Sequence, residues 1–171
     1  TGLVAQARGA NEYVEVSSIL VRGLVIAAVG GIILIAFHSF LFSAIFYFLV
    51  GAKDAEKLAM EYMSIRVFGA PFAISMFVFV GWLFGMGKTF SALCLLVCVN
   101  LLNILLDIIF VNFLYMGIAG VAYATLVSEF CGFCLGIYLC REFLLNKEQI
   151  KGRAIFLSNK WKSFIFLNAN I

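Results

Sequence analysis

Residues 89–116 read TFSALCLLVCVNLLNILLDIIFVNFLYM, an apolar run in which Asp107 is the only charged residue. A membrane-spanning helix needs roughly 20 predominantly apolar residues, so this run is long enough to cross a bilayer. Asn100, Asn103 and Asp107 follow an i, i+3, i+7 spacing, which places them on one side of an α-helix. A carboxylate at the centre of a bilayer costs at least about 2.5–3.5 kcal/mol, and such residues are typically functional. The run therefore predicts a membrane helix that handles an ion or a proton at Asp107.

The composition of the whole chain also indicates a membrane protein. Of the 171 residues, 64% are hydrophobic and 12% are charged, and the mean hydropathy is +1.10. An ordinary soluble domain is about 45–50% apolar and about 25% charged. The single proline favours long helices over a turn-rich β-barrel. We therefore predict an all-α integral membrane protein whose partner is the lipid bilayer and not nucleic acid.

Four apolar stretches are long enough to span a bilayer. The predicted spans are residues 17–49, 64–86, 89–114 and 118–141. The first has a core at about 17–40 and an aromatic continuation, and Pro71 is expected to kink the second. Gly117 and Gly120 predict a tight turn, which makes the last two spans antiparallel neighbours.

The basic residues near the span ends predict an orientation. One side of the four-span layout carries Arg8, Arg22, Lys88, Arg141, Lys147, Lys151, Arg153, Lys160 and Lys162. The other side carries only Lys53 and Lys57, accompanied by acidic residues in the connection Gly51–Glu61. By the positive-inside rule the first side is cytoplasmic and the connection is external, in the inner or plasma membrane of the cell.

The same layout divides the chain into three parts. Residues 1–16 are predicted to be the end of a preceding helix and a cytoplasmic loop, and residues 17–141 a four-helix unit. Residues 142–171 are predicted to be a basic cytoplasmic loop that leads to a further helix. Because residues 142–163 mix basic and large apolar side chains, they fit either a solvated loop or an amphipathic helix on the inner leaflet.

Four polar residues of the last two spans are expected at comparable depth. With a rise of about 1.5 Å per residue, Asp107 and Thr125 lie about 10–12 Å from the turn that joins the spans. Asn103 is expected one turn deeper, level with Glu129, which shares a face with Thr125. The two helices can therefore direct all four side chains toward a common space.

Carboxylate, amide and hydroxyl oxygens are ligands for a small hard cation such as Na⁺, and a desolvated carboxylate can instead hold a proton. We take Asp107, Asn103 and Thr125 as candidate cation or proton ligands, and Glu129 and Asn100 as secondary candidates. The alternative is that the amides and hydroxyls only bridge helices, which stabilises membrane bundles by about 0.6 kcal/mol per hydrogen bond.

The remaining chemistry-bearing residues predict no further site. The spacing Cys131-x-x-Cys134 lacks the His or acidic partners of a zinc set, so the cysteines are expected to be packing residues. Arg66 is expected to extend toward the membrane interface or to pair with Glu61. No HExxH motif and no Ser/His pair occurs within a span. We therefore expect neither an enzyme nor a cofactor, and no metal beyond Na⁺.

Five segments in order resemble the multidrug and toxic compound extrusion (MATE) transporters, closest to their DinF-like branch. The segments are TGLVAQARGANEY, RVFGAPF, GWLFGMGKT, NLLNILLDIIFV and MGIAGVAYAT. The resemblance implies twelve helices in two six-helix lobes with alternating access between them. This chain would supply the tail of helix 2 and helices 3 to 6 of the N-terminal lobe, and FLNANI resembles the lead into helix 7.

The resemblance also implies a cation site in the N-terminal lobe. The family uses Asn and Asp four residues apart on helix 5 and Thr on helix 6, which match Asn103, Asp107 and Thr125. It also uses an Asp in helix 1, which these residues do not contain. Glu129 stands where many relatives have Gln.

The implied activity is antiport, in which Na⁺ or H⁺ enters while a small organic, often cationic, compound leaves. Transport would require the remainder of the same transporter. The alternatives are a flippase of related architecture for a lipid-linked sugar, and a stand-alone four-span structural protein.

Overall fold

The computed structural model describes residues 1–48 and 53–145, and the regular structure of these residues is entirely helical. Its helices are α1 (Gly2–Gly9), α2 (Tyr13–Phe48), α3 (Lys53–Arg66), α4 (Ala70–Gly85), α5 (Thr89–Asp107) and α6 (Gly117–Leu145). A 3₁₀ turn, Val67–Gly69, joins α3 to α4, and a π-helical segment, Ile108–Phe113, continues α5.

Four helical segments are long and apolar enough to cross a membrane, as predicted. They are Tyr13–Ile45, Ala55–Gly85, Thr89–Phe113 and Gly117–Leu145. The 36 residues of α2 correspond to about 54 Å, well beyond the roughly 30 Å of a hydrocarbon core, and Gly30-Gly31 does not interrupt the helix. Large apolar side chains such as Phe40, Phe77 and Phe90 are exposed along the spans, which suits contact with lipid.

The second span begins earlier than predicted. Residues Lys53–Arg66 are helical and continue through the 3₁₀ turn into α4, so much of the predicted external connection is helix. The sequence KDAEKLAMEYM is rich in Ala, Glu, Lys, Leu and Met, which favour a helix despite its charge. The 3₁₀ turn lies directly before Pro71, which occupies the first turn of α4. A bend of the axis at Pro71 stays a prediction.

Two further segments differ in detail from their predicted boundaries. Residues 1–16 contain α1 and the start of α2, with Asn11 in the left-handed conformation at the turn (φ 58°). Residues 142–145 belong to α6, and the rest of the predicted basic loop lies outside the described residues. Arg22 is not a loop residue: it is buried inside α2, where Nη1 donates to Glu15 Oε1 at 2.9 Å.

The hairpin turns mark two ends of the bundle. We call the α4–α5 turn, residues 86–88, the first end, and the α5–α6 turn, residues 114–116, the second end. The tight core lies toward the first end, where Leu20, Phe79, Leu83, Leu95 and Cys140 are fully buried.

Small residues allow the spans to approach closely, as in other membrane bundles. At Gly31 a Cβ would lie 2.5 Å from both N and Cα of Pro71, so α2 crosses the start of α4 backbone against backbone. Gly120 has a comparable role: its Cβ would lie 3.2 Å from Phe110 in the π-helical segment. Gly120 therefore serves packing, whereas Gly117, with φ 57°, forms the turn.

We expect Gly31→Ala to destabilise the bundle by about 1–3 kcal/mol, the usual cost of overpacking, because the added methyl group meets rigid backbone. The measurement is thermal unfolding in detergent. The neighbouring Gly30→Ala is the matched control, since its Cβ would meet only Ile74 Cδ1 at 3.9 Å. An equal melting temperature for the two variants would contradict the close crossing at Pro71.

Candidate functional site

Asp107 lies at a change of helix type. It is the last residue of α5, and the π-helical segment begins with the next residue. Within that segment the N–H of Leu114 donates to the carbonyl of Ile109 at 3.0 Å, an i to i−5 hydrogen bond. Short π-helical segments inside α-helices occur frequently at functional sites.

One oxygen of the Asp107 carboxylate, Oδ1, is buried without a hydrogen-bond partner among the described residues. A buried polar atom without a partner costs free energy, and an ionised carboxylate at membrane depth costs considerably more. A bound cation or proton would remove this cost, so Asp107 has the environment of a group that takes up positive charge.

Asn103 and Thr125 meet across the α5–α6 interface. Asn103 Nδ2 donates to Thr125 Oγ1 at 3.2 Å, and Thr125 Oγ1 in turn donates to the carbonyl of Val121 at 2.9 Å. A hydroxyl has one donor and two acceptor lone pairs, so one lone pair of Thr125 is not used by these bonds. The amide oxygen Oδ1 of Asn103 and the hydroxyl of Thr125 are therefore suitable additional ligands for a cation held by Asp107.

The side chain of Asn103 pairs one turn away from the expected level. Asn103 was expected level with Glu129, but its side chain donates to Thr125, one turn closer to the second end. The helices themselves keep nearly the expected register, because Val99, four residues before Asn103, lies against Gly132, three residues after Glu129. The difference therefore lies in which side chains meet and not in a large shift of the helices.

Asn100 does not join the other polar side chains. It is exposed, and its Nδ2 donates to the carbonyl of Leu96 on its own helix at 2.9 Å. Asn100 therefore takes no part in the contact between Asn103 and Thr125.

Glu129 is held by Arg66. Nη1 of Arg66 donates to Oε2 at 2.8 Å, and Nη2 donates to Oε1 at 3.0 Å, a bidentate pair between α3 and α6. The expectation that Arg66 extends outward or pairs with Glu61 is therefore wrong. Both residues lie well inside their spans, and charged groups at such depth pair with each other because solvent is absent.

Sequence reasoning missed this pair although a signal for it was present. Arg66 and Glu129 lie at similar distances from the beginnings of their spans, Ala55 and Gly117, which are both at the second end. A second span that began at residue 64 would place Arg66 near its end, far from the depth of Glu129. With the observed start, the two charges fall at the same depth.

The other side chains show no rival site in the described part of the chain. No group of three or more His, Cys, Asp or Glu side chains could hold a metal ion there. Cys131 and Cys134 are free and exposed on α6.

Comparisons with known proteins point to one family. The MatE family matches residues 1–109. DNA damage-inducible protein F of Escherichia coli (strain K12) is 31% identical over 162 residues, which cover 95% of this chain and 35% of that protein. The probable multidrug resistance protein NorM of Thermotoga maritima is 31% identical over 167 residues, with the same coverage of 95% and 35%. The chain thus spans about a third of the length of these curated relatives.

Two solved structures share the arrangement of helices. A MOP superfamily transporter from Pyrococcus furiosus, described as having a binding pocket of reverse polarity, superposes with a TM-score of 0.75 at 28% identity, over 80% of this chain and 30% of that one. An inward-facing multidrug resistance MATE family transporter superposes with a TM-score of 0.70 at 28% identity, over 80% of this chain and 31% of that one. The predicted resemblance is confirmed, and the chain belongs to the MatE family of multi-pass membrane transporters.

Proposed function

We propose that the chain forms the cation-handling part of a secondary transporter that couples inward movement of Na⁺ or H⁺ to efflux of a small organic compound. The buried, unpartnered Oδ1 of Asp107 is the observation that carries the proposal. The names of the relatives support the efflux activity, since one is a probable multidrug resistance protein and one solved structure is a multidrug resistance transporter.

Three side chains form the proposed site. Asp107 supplies the charge, and the oxygens of Asn103 and Thr125, already in contact at 3.2 Å, complete the coordination. A Na⁺ ion would use all three, because it prefers several oxygen ligands. A proton would need only the carboxylate. Residues beyond this chain, including an acidic side chain of the first helix of the family, would complete the site.

Occupancy of Asp107 would change how α5 packs in the bundle. A charged, unpartnered Asp107 favours conformations in which water reaches the carboxylate, whereas a neutralised one tolerates a closed, apolar surrounding. A ligand shifts a conformational equilibrium by its difference in affinity for the two states. The π-helical segment next to Asp107 gives α5 a place where its hydrogen bonding can readjust.

The remainder of the transporter would supply the second lobe, since the curated relatives are about three times longer than this chain. The exported compound, often cationic in the family, would bind between the lobes. We place the first end of the bundle, with Arg8, Lys88 and Arg141, on the cytoplasmic side of the cell membrane by the positive-inside rule.

The structure argues against the flippase alternative. A site for a lipid-linked pyrophosphate needs uncompensated positive charge, and the charge of Arg66 is balanced by Glu129. The stand-alone structural alternative leaves the cost of an unpartnered Asp107 unexplained.

We expect Asp107→Asn to abolish cation-coupled efflux without preventing insertion, because the amide keeps the size of the side chain but cannot bind a proton or balance Na⁺. The measurement is efflux of ethidium, a fluorescent organic cation, from proteoliposomes that contain the complete transporter, driven by a Na⁺ or a proton gradient.

The matched control for this experiment is Glu61→Gln, the same change of carboxylate to amide at an exposed position of α3. It should retain the parent rate. Full coupled efflux in Asp107→Asn would overturn the proposal.

A second prediction concerns Thr125. Thr125→Val removes the hydroxyl at nearly constant volume and, for Na⁺ coupling, should raise the half-saturating Na⁺ concentration by roughly tenfold, the typical effect of losing one polar contact to a charged group. Thr125→Ser keeps the hydroxyl and should remain near the parent value. Equal values for the two variants would exclude the hydroxyl from the site.

A further inference from the structure

The Arg66–Glu129 pair joins two spans at mid-depth. Its two hydrogen bonds, 2.8 and 3.0 Å, connect the last residue of α3 with the middle of α6. The other described ion pair, Arg22–Glu15, lies within α2. Arg66–Glu129 is thus the described ion pair that fixes one span relative to another.

The pair lies one helical turn from the candidate cation site. Glu129 follows Thr125 by four residues on α6, so both side chains leave the same face of the helix. Thr125 is held by Asn103 of α5, and Ser128 Oγ donates to the carbonyl of Thr125 at 2.9 Å. This segment of α6 is consequently anchored on one side by α5 and on the other by α3.

Arg66 donates a hydrogen bond to each carboxylate oxygen of Glu129. This pairing separates the role of Glu129 from that of Asp107. A cation that approached Glu129 would meet the guanidinium group, and it would have to break a bidentate, charge-assisted pair. Asp107, in contrast, has a buried oxygen that accepts no hydrogen bond from the described residues.

The pair also fits tightly against the 3₁₀ turn. A Cβ on Gly69 would lie 2.5 Å from Glu129 Oε2, 2.8 Å from Arg66 Nη1 and 3.3 Å from Leu126 Cδ1. The backbone of Gly69 is ordinary right-handed helix (φ −77°, ψ −15°), which any residue adopts. The reason for glycine here is therefore the space that the ion pair occupies.

We propose that Arg66 and Glu129 are positioning residues for cation coupling, and that their ion pair holds Thr125 in the place where it serves the Asp107 site. Glu129 acts through the geometry of α6 and does not bind the transported cation. This inference rests on the proposed function, because it assigns a role in the same site.

Four variants of the complete transporter test the inference: Glu129→Gln, Arg66→Gln, the double variant Arg66→Gln/Glu129→Gln, and Gly69→Ala. The readout is ethidium efflux in proteoliposomes, analysed as the half-saturating concentration of the coupling ion and the maximal rate. Each single substitution at the pair leaves one charge unpaired, and we expect it to raise the half-saturating concentration roughly tenfold, as for residues that orient a metal ligand. The maximal rate should change less.

The double variant decides between a positioning role and direct ligation. It restores an uncharged, hydrogen-bonding pair, so a positioning role predicts a half-saturating concentration close to the parent value. If Glu129 binds the cation, the double variant loses the ligand and stays as impaired as Glu129→Gln, which would overturn the inference.

Gly69→Ala tests the same geometry with no change of charge. We expect it to displace the pair and to shift the half-saturating concentration in the direction of the single variants. The matched control is Gly81→Ala in the same span, whose Cβ would meet Thr1 Oγ1 at an ordinary 3.6 Å. A parent-like value in Gly69→Ala would contradict a role for the pair geometry.

Folding of each variant is checked by size-exclusion profile and thermal unfolding in detergent. If a single variant does not fold, the double variant and Gly69→Ala still test the inference, since neither removes only one charge of the pair. A parent-like half-saturating concentration in the double variant then supports a positioning role, and an impaired one rejects it. Asp107→Asn, measured in parallel, separates the two proposals. Loss of coupling in Asp107→Asn with parent-like values in all pair variants rejects the inference alone, whereas full coupling in Asp107→Asn rejects the proposed function.

Discussion

Ionised side chains inside a membrane-spanning bundle are tolerated when opposite charges, hydrogen bonds or water compensate them, and the described structure is organised around this constraint. Arg22 meets Glu15 within α2, and Arg66 meets Glu129 between α3 and α6. Asp107 differs, because one of its carboxylate oxygens is buried without a partner. The paired charges are compensated within the described chain, whereas in the proposed mechanism the coupling ion compensates Asp107.

Large apolar side chains and the polar side chains of α5 and α6 lie in different parts of the bundle. Near the first end, large apolar side chains such as Phe79, Leu83 and Leu95 are fully buried, and Trp82 Nε1 donates to the carbonyl of Val16 at 3.0 Å. The Asn103–Thr125 contact and the π-helical segment lie toward the second end. The large buried apolar side chains and the candidate cation ligands therefore occupy different parts of the bundle.

The amino-acid sequence alone predicted the class of fold and the interface at which Asn103 and Thr125 meet. Apolar run lengths identified four spans because a bilayer fixes the length of helix that must be apolar. The i, i+4 spacing of Asn103 and Asp107 and the short turn before Gly117 were enough to bring Asn103 and Thr125 to the same interface. Asp107 was selected because a lone carboxylate in the middle of an apolar run has a large free-energy cost at membrane depth.

Tertiary structure decided the polar partners. Equal depth along the helices did not fix them, since Asn103, expected level with Glu129, donates to Thr125 one turn away. The pairing of Arg66 with Glu129 depends on where α3 begins and on how α3 meets α6, which are long-range properties. The sequence by itself thus determined which charged side chains are costly to place in a membrane, because that free energy depends on the residue and on the apolar segment around it. Only the folded chain determined which of these residues compensate each other, because pairing depends on the relative positions of separate helices.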